Sequence, residues 1–186
     1  MFPHAVVILA VWLLWVIAVP ALDSAVAQDD PVRPGDRLSI TDSVSMTPAT
    51  EWNIASGFRV DERATDDSLP GIELTRGNIF LTVRADSFDG TPDDLLTQVD
   101  TVSASISGNS VLGLSGARTP FITDTGLTGV QVTFTTPSAA GSLTTFVVDG
   151  TGLDVEVSGP PAQITDRTPE ITAMIASITA ETRAAQ

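Results

Sequence analysis

Carboxylates, hydroxyls and arginines are the only side chains that most of this chain offers for chemistry. The sequence has no cysteine and no tyrosine, its nine basic residues are all arginine, and its one histidine is His4. Beyond residue 27, proton transfer therefore falls to Asp and Glu, and nucleophilic attack falls to Ser, Thr or a carboxylate. Disulfides and thiolate metal sites are excluded. A pair of carboxylates like that of glycosidases needs only Asp or Glu, and no spacing in the sequence selects one.

The tripeptide Asp124-Thr125-Gly126 matches the catalytic tripeptide of retroviral-type aspartic proteases, in which two Asp side chains share a proton across a dimer. The apolar pair Phe121-Ile122 precedes it, as that interpretation requires. However, Gly129 follows within three residues of the tripeptide, and no apolar segment ending in Gly follows at a helix start. Because Asp and Gly are common turn formers, we interpret the tripeptide as a turn.

Two groups of four carboxylates are candidates for binding a cation. The first group is Asp86, Asp89, Asp93 and Asp94. The second group is Asp61, Glu62, Asp66 and Asp67. The first lacks the EF-hand spacing that would supply calcium with six to eight oxygens, and two of its members are explained as charges at a helix N-terminus. The second is interrupted by Arg63 and is typical of a solvated loop. We predict no metal site.

Three further features could carry chemistry, and each has a simpler explanation. Trp52 has apolar strand neighbours, which indicates a core residue more than a ligand platform. Met174 belongs to an apolar helical stripe and is interpreted as packing. The segment Gly113-Leu114-Ser115-Gly116 is not the Gly-x-Ser-x-Gly of a nucleophile elbow. The sequence therefore predicts no catalytic, cofactor-binding or metal-binding residue.

The charge of the chain limits its partners. The 186 residues include 23 acidic ones, and the formal net charge is −14. Such a field repels nucleic acid and anionic lipid headgroups. It favours a soluble domain that stays monomeric or binds cationic partners.

Residues 1–27 are predicted to be a signal peptide or a membrane anchor. Residues 5–19 are 15 continuously apolar positions, which suits the apolar region of a signal peptide and approaches the length that spans a bilayer. The small residues of Ala25-Val26-Ala27 form a cleavage site. Cleavage there would release the domain, and retention would leave an anchor. Arg33 and Arg37 would favour a cytosolic domain under the positive-inside rule, but we predict an extracytoplasmic one.

The rest of the chain is predicted to be one α+β domain over residues 38–180, with a flexible tether at 28–37 and a disordered tail at 181–186. Alternating apolar residues separated by turn signals predict an antiparallel sheet of about 6–8 strands. Two helices are expected to pack on this sheet, and an apolar helix is expected to precede the domain.

Capping signals place the two helices. Thr91, Pro92 and Asp94 predict a helix start, and the helix is expected to end near Ser107. The segment Thr168-Pro169-Glu170 predicts the start of the second helix. Its apolar stripe is Ile171, Met174, Ile175 and Ile178.

The order of elements resembles the PsbP-like α/β/α sandwich over about residues 38–180. The likeness is carried by packing and turn residues in five places. These are Pro48 with Trp52 and Ile54, Phe80-Leu81-Thr82-Val83 leading to Pro92-Asp93-Asp94-Leu95-Leu96, Gly126 with Gly129, Phe146-Val147-Val148-Asp149-Gly150, and Met174-Ile175-Ala176-Ser177-Ile178. The chain also looks like small exported or anchored actinobacterial proteins, whose Arg-for-Lys usage it shares. The resemblance implies a non-catalytic accessory role and carries over no ligand residues.

Three functions are compatible with the sequence. The first is a non-catalytic accessory or interaction protein of the cell envelope, exported or tethered to the outer face of the cytoplasmic membrane, which binds a protein partner. The second is a carrier or sensor of a small apolar or lipid ligand, which needs a cavity of roughly 300 Å³. The third is a carboxylate-dependent hydrolase, which needs two acidic side chains about 5–9 Å apart in a cleft. We predict the first, without a cofactor and without nucleic acid. Membrane contact would come from an uncleaved N-terminal segment.

Overall fold

The computed structural model describes residues 30–62, 71–107 and 116–181. The predicted leader, including the apolar helix expected before the domain, and the tail after Glu181 lie outside these ranges. All of the described residues except Asp30 belong to a single compact unit, residues 31–186. Among the described residues, no helix has both the length and the apolarity needed to cross a membrane.

The described part of the chain is an α+β structure with two antiparallel sheets and two α-helices. The strands are β1 (Leu38–Ser39), β2 (Val44–Met46), β3 (Asn53–Ser56), β4 (Phe58–Arg59), β5 (Ile72–Arg76), β6 (Ile79–Ser87), β7 (Thr119–Ile122), β8 (Thr128–Thr135), β9 (Ala140–Val148), β10 (Thr151–Gly159) and β11 (Thr179–Ala180). The helices are α1 (Pro92–Ser107) and α2 (Pro161–Ala176), and a 3-10 turn spans Val60–Glu62.

The large sheet has seven strands in the order β3-β5-β6-β10-β9-β8-β7, and the small sheet has four in the order β11-β2-β1-β4. Seven strands lie within the predicted range of about 6–8, but the small sheet was not predicted. The alternation over residues 37–47 predicts one strand with an irregularity near Asp42, whereas the structure has the hairpin of β1 and β2 there. Gly57, with φ of 122°, lies where the chain leaves the large sheet and enters the small one.

The hairpin between β9 and β10 turns at Asp149-Gly150, a dipeptide that by itself predicts a hairpin turn. Both residues have positive φ, 48° and 75°, which is the conformation that a two-residue hairpin turn of type I′ requires. Nine residue pairs then align β10 with β9, from Thr151 opposite Val148 to Gly159 opposite Ala140. This turn fixes which β10 side chains reach each face of the sheet.

Helix α1 begins as its capping residues predict. The Asp94 carboxylate accepts hydrogen bonds from the backbone N–H and the hydroxyl of Thr91, at 3.0 and 2.6 Å. The backbone N–H of Asp94 donates in turn to the Thr91 hydroxyl oxygen at 3.2 Å. These hydrogen bonds lower the pKa of Asp94 below its ordinary value.

Helix α2 begins earlier than the sequence predicts, at Pro161 and not at the Thr168-Pro169-Glu170 segment. Pro160 directly precedes the helix and its carbonyl accepts from the backbone N–H of Ile164 at 3.0 Å, so the first turn closes. Pro169 therefore lies inside the helix on an exposed position. A proline there removes one helical hydrogen bond, and water can solvate the carbonyl left without a partner on the exposed side.

The sandwich has two faces, which we call inner and outer. On the inner face of the large sheet, Ile171, Met174 and Ile175 of α2 join the small sheet and Trp52 in one buried apolar cluster. On the outer face, Leu96 of α1 packs against Val132 and Leu143 of β8 and β9. The two helices thus lie on opposite faces.

Residues 31–37, which the sequence assigns to the flexible tether, contact the domain in the structure. Val32 is buried, and its backbone N–H donates to the carbonyl of Trp52 at 2.8 Å. The Asp36 carboxylate accepts from the Arg59 side chain and from the backbone N–H of Arg33, both at 2.8 Å. Burial alone would raise the pKa of Asp36, but these hydrogen bonds and the two arginine charges lower it overall. The packed domain therefore includes residues from Pro31 onward.

Candidate functional site

The half of the outer face formed by β5, β6 and β10 carries side chains that are only partly buried or exposed. Alternation along these strands places Glu73, Thr75, Phe80, Thr82, Arg84, Asp154, Glu156 and Ser158 on this face. We call these eight residues the open face. None of them is buried, and Phe80 is 46% exposed, which is unusual for an aromatic side chain. The open face is therefore the candidate functional site.

Strand register brings the charged residues of the open face together. Thr82 lies opposite Glu73 on one side and Glu156 on the other. Because neighbouring strands are about 4.8 Å apart, the two glutamates lie about 10 Å apart across the strand of Thr82. One step along, Arg84 lies opposite Asp154. The open face therefore carries three carboxylates and one arginine, and it has a net negative charge.

Asp154 is the most perturbed of these carboxylates. Its side chain is 19% exposed, and the nearest nitrogen of Arg84 is 3.8 Å away on a side chain that is 63% exposed. Burial raises the pKa of Asp154 above its ordinary value, the charge of Arg84 lowers it in part, and the charge of Glu156 raises it further. A carboxyl group with a raised pKa is frequent at functional sites.

The wall beside Asp154 is the first turn of α1. Thr145, which lies opposite Asp154 on β9, donates its hydroxyl hydrogen to the carbonyl of Pro92 at 2.7 Å. The next outer-face position on β10 is Gly152, where an added Cβ would lie 2.8 Å from Phe88 and 2.9 Å from Leu95. The helix therefore ends the open face on one side and shields Asp154 from water.

A second charged cluster lies on the inner face and is fully paired. The Glu170 carboxylate of α2 accepts hydrogen bonds from the indole N–H of Trp52 and from the Arg76 guanidinium. Arg76 also pairs with Glu51, and Arg167 lies 3.4 Å from Glu170. Burial alone would raise the pKa of Glu170, but the Trp52 and Arg76 hydrogen bonds and the charges of Arg76 and Arg167 lower it overall. We interpret this cluster as a structural contact that holds α2 against the sheet. Trp52 is 0% exposed, so it belongs to the core, as the sequence predicts.

The tripeptide Asp124-Thr125-Gly126 forms a turn after β7. The backbone N–H of Asp124 donates to the carbonyl of Ala176 at 2.9 Å, and the hydroxyl of Thr125 donates to the carbonyl of Ile178 at 3.3 Å. The Asp124 side chain is exposed on this turn. These two hydrogen bonds hold the turn that follows β7 against the end of α2.

Three members of the first acidic group are engaged by protein partners. Asp94 caps α1, Asp93 pairs with Arg118 at 2.7 Å, and Asp86 accepts from the backbone N–H of Ser87 at 2.7 Å. Of the second group, Asp61 and Glu62 lie in the 3-10 turn, and Asp66 and Asp67 lie outside the described residues. In the described part of the chain, no group of three His, Cys, Asp or Glu side chains is placed to hold a metal ion. The segment at residues 113–115 is outside the described residues.

Two clefts are lined entirely by described residues. One, of about 100 Å³, lies between α2 and strands β8, β9 and β10 on the inner face. The other, of about 60 Å³, lies beside the small sheet and is lined by Ser39, Thr41, Asp42, Ser43, Val44, Ser45, Val60 and Glu181. Both are smaller than the roughly 300 Å³ expected for a carrier of an apolar ligand.

No family model matches the sequence, and a search of curated proteins finds no match. Among solved structures, the chain is similar to the solution structure of cyanobacterial PsbP (CyanoP) from Synechocystis, with 12% identity and a TM-score of 0.49 over 77% of this chain and 91% of that chain. It is also similar to a crystal structure from Bacteroides thetaiotaomicron, with 11% identity and a TM-score of 0.41. That match covers 81% of this chain and only 50% of the other.

Because both TM-scores lie below 0.5, the function proposed for this chain rests on its own residues. The comparison leaves the actinobacterial part of the resemblance untested.

The sequence did not reveal the open face. Its charged residues come from the β5–β6 hairpin and from β10, which is far from that hairpin in the chain, and no motif connects them. The available signal was the alternation in β6 and β10, where Thr82 and Arg84 on one strand and Asp154 and Glu156 on the other interrupt apolar residues. That pattern indicates an outward face but does not indicate which strands are neighbours.

Proposed function

We propose that this protein is a non-catalytic accessory component of the cell envelope, exported or tethered to the outer face of the cytoplasmic membrane, that binds a basic protein partner through the open face. The observation that carries this proposal is that an exposed aromatic ring and an excess of carboxylates share one sheet surface that α1 does not cover. Aromatic residues are enriched at protein interfaces, and complementary charge steers partners together.

The location is supported by the apolar leader and by the cleavage site at Ala25-Val26-Ala27. Intact mass and fractionation of the untagged protein test it. A mass that begins at Gln28 in a soluble extracytoplasmic fraction indicates release, and a full-length mass in the membrane fraction indicates an anchor. Full-length protein in the cytosol would contradict both release and anchoring.

The binding surface is tested by photo-crosslinking in the native cell. A photoreactive phenylalanine analogue replaces Phe80 in the full-length protein, and a second variant carries it at Val60. Val60 is a matched control because it is also an exposed apolar residue, at 39%, but lies beside the small sheet. We expect a discrete crosslinked protein from position 80 and none of the same mass from position 60. Equal crosslinking from both positions, or none from position 80, would exclude the open face as the interface.

One observation favours a carboxylate-dependent hydrolase as the second candidate. Asp154 and Glu156 lie on the same face of one strand, about 6.5–7 Å apart along the chain, and the pKa of Asp154 is raised as a general acid requires. Neither of the two clefts described above is lined by Asp154 or Glu156, which is why we place binding first. The test is a hydrolase assay of the protein and of a variant that carries both Asp154→Asn and Glu156→Gln. Activity that is present in the protein and lost in the variant would place hydrolysis ahead of binding.

A further inference from the structure

Phe80 is the only aromatic residue of the open face, and its side chain is 46% exposed. Within the described ranges, its ring has neither an aromatic nor a cationic partner. Arg84, the only basic residue of the open face, lies four positions along β6, about 13 Å away, and pairs instead with Asp154 at 3.8 Å. The ring is therefore available to a group that another molecule supplies.

Two glutamates lie one row of the sheet away from Phe80. Glu73 of β5 and Glu156 of β10 are both opposite Thr82, which is two positions from Phe80 on the same strand. Residues that are diagonal neighbours in this way are about 7–8 Å apart, a distance that long side chains can bridge. Both glutamates are partly buried, and in the described part of the chain neither forms a hydrogen bond or an ion pair. A cation over the ring would thus come within reach of both carboxylates.

A guanidinium group suits this arrangement better than an ammonium group does. It is planar and stacks on aromatic rings, and its N–H donors point outward in its plane, so they can serve carboxylates on two sides. An ammonium group is a compact and strongly hydrated charge. It therefore gains less from the ring and cannot serve two separated carboxylates equally well.

We propose that the open face recognises an arginine side chain of its protein partner, which stacks on Phe80 and pairs with Glu73 and Glu156. This inference rests on the proposed function, which requires a basic partner but does not distinguish arginine from lysine. Arginine is enriched at protein interfaces, whereas lysine is depleted there. The carboxylates attract any basic segment, and the ring selects the arginine.

Three peptides of one sequence test the choice of side chain. They carry a single arginine, lysine or citrulline between neutral residues, and citrulline has nearly the shape of arginine but no charge. Each peptide is titrated into the full-length protein in a neutral detergent, and the backbone amide NMR signals of β5, β6 and β10 report binding. We expect the arginine peptide to bind about fivefold more tightly than the lysine peptide, and the citrulline peptide to bind more weakly than either.

Variants separate the contribution of the ring from that of the charges. Phe80→Leu keeps an apolar side chain without a ring, so the preference for arginine over lysine should disappear while both peptides still bind. Glu73→Gln combined with Glu156→Gln should weaken binding of the arginine peptide about tenfold. The matched control, Asp61→Asn with Asp124→Asn, removes two charges from exposed positions outside the open face and should weaken it less than about twofold.

Equal binding of the arginine and lysine peptides would overturn this inference but leave the proposed function intact, because charge alone can attract a basic partner. An arginine preference that persists in Phe80→Leu would overturn it as well, since the contact would then lie elsewhere. So would the absence of any change in the open-face signals, and crosslinking from position 80 tests the proposed function independently. Equal binding of the citrulline peptide would contradict both, because the carboxylates would then play no part. Thermal unfolding confirms that each variant is folded.

Discussion

Glu170 on the inner face and Asp154 on the outer face are both partly buried carboxylates beside an arginine, but their surroundings differ. Glu170 accepts hydrogen bonds from Trp52 and Arg76, and its pKa lies below its ordinary value. Asp154 lies 3.8 Å from an arginine that is mostly exposed, and its pKa lies above its ordinary value. The first carboxylate is stabilised by the fold, and the second is not.

This difference separates a structural cluster from a candidate binding surface. A sequence selected only for stability would place a better partner beside Asp154 or replace it with a neutral residue. Natural proteins retain such local conflicts mainly where a surface has another use. The comparison therefore supports assigning the inner cluster to stability and the open face to binding.

The largest contrast in stability is expected between substitutions of Trp52 in the core and Phe80 on the open face. Trp52→Ala should lower the free energy of unfolding by about 3–5 kcal/mol, because it empties a fully buried site and removes a hydrogen-bond donor from Glu170. Phe80→Ala should lower it by less than about 1 kcal/mol, since the ring is already half exposed. Urea denaturation followed by circular dichroism measures both. Similar losses for the two variants would refute the contrast.

Arg76 on the inner face and Arg84 on the open face give the next contrast. Arg76→Met should lower the free energy of unfolding by about 2 kcal/mol, because Glu170 and Glu51 both lose a charged partner. Arg84→Met should change it by no more than about 0.5 kcal/mol, as expected for an exposed and loosely placed ion pair. The same denaturation experiment compares them, and a larger loss for Arg84→Met would show that the open face is structural.

Glu170→Gln should have a pH-dependent effect. Because the pKa of Glu170 is lowered in the folded state, its ionised form stabilises the fold above the ordinary pKa of 4.5, and that contribution disappears as the pH falls through the folded-state value. The variant should therefore melt at a lower temperature than the unmodified protein at pH 7, and the gap should close below pH 4.5. Thermal unfolding across this range measures it, and a gap that does not depend on pH would contradict the assignment.

Asp154→Asn should show the opposite sign and the smallest effect. Because the pKa of Asp154 is raised in the folded state, folding favours its protonated form, and stability is lost as the pH rises from 3.8 through the folded-state value. The variant should melt at a higher temperature than the unmodified protein at pH 7 and at the same temperature below pH 3.8. Thermal unfolding of the pair tests this, and a variant that melts lower at pH 7 would show that the Arg84 pair outweighs the burial of Asp154.

Local signals predicted most of the elements of the domain. The capping box at Thr91 and the Asp149-Gly150 turn each require a particular local chemistry, and both are found in the structure. Pro169 misled the placement of α2, because a proline at an exposed helix position is tolerated when an earlier proline, Pro161, already begins the helix. The small sheet was missed because its strands are two or three residues long, which is too short for a periodic pattern.

The open face could not be predicted from the sequence. The open face depends on the pairing of β6 with both β5 and β10, which brings Glu73, Arg84 and Asp154 together. The pairing of β6 with β10 joins segments that are distant in the chain, and a single sequence contains no record of it.

The charge of the open face is the most direct test of the proposed function. In the native cell, the photoreactive residue at position 80 would be combined with Glu73→Gln and Glu156→Gln, and crosslinking would be compared with that of the protein carrying both glutamates. If the open face binds a basic partner, the crosslinked product should be lost while the melting temperature is unchanged or higher. An undiminished crosslinked product would contradict the account, because the carboxylates would then play no part in binding.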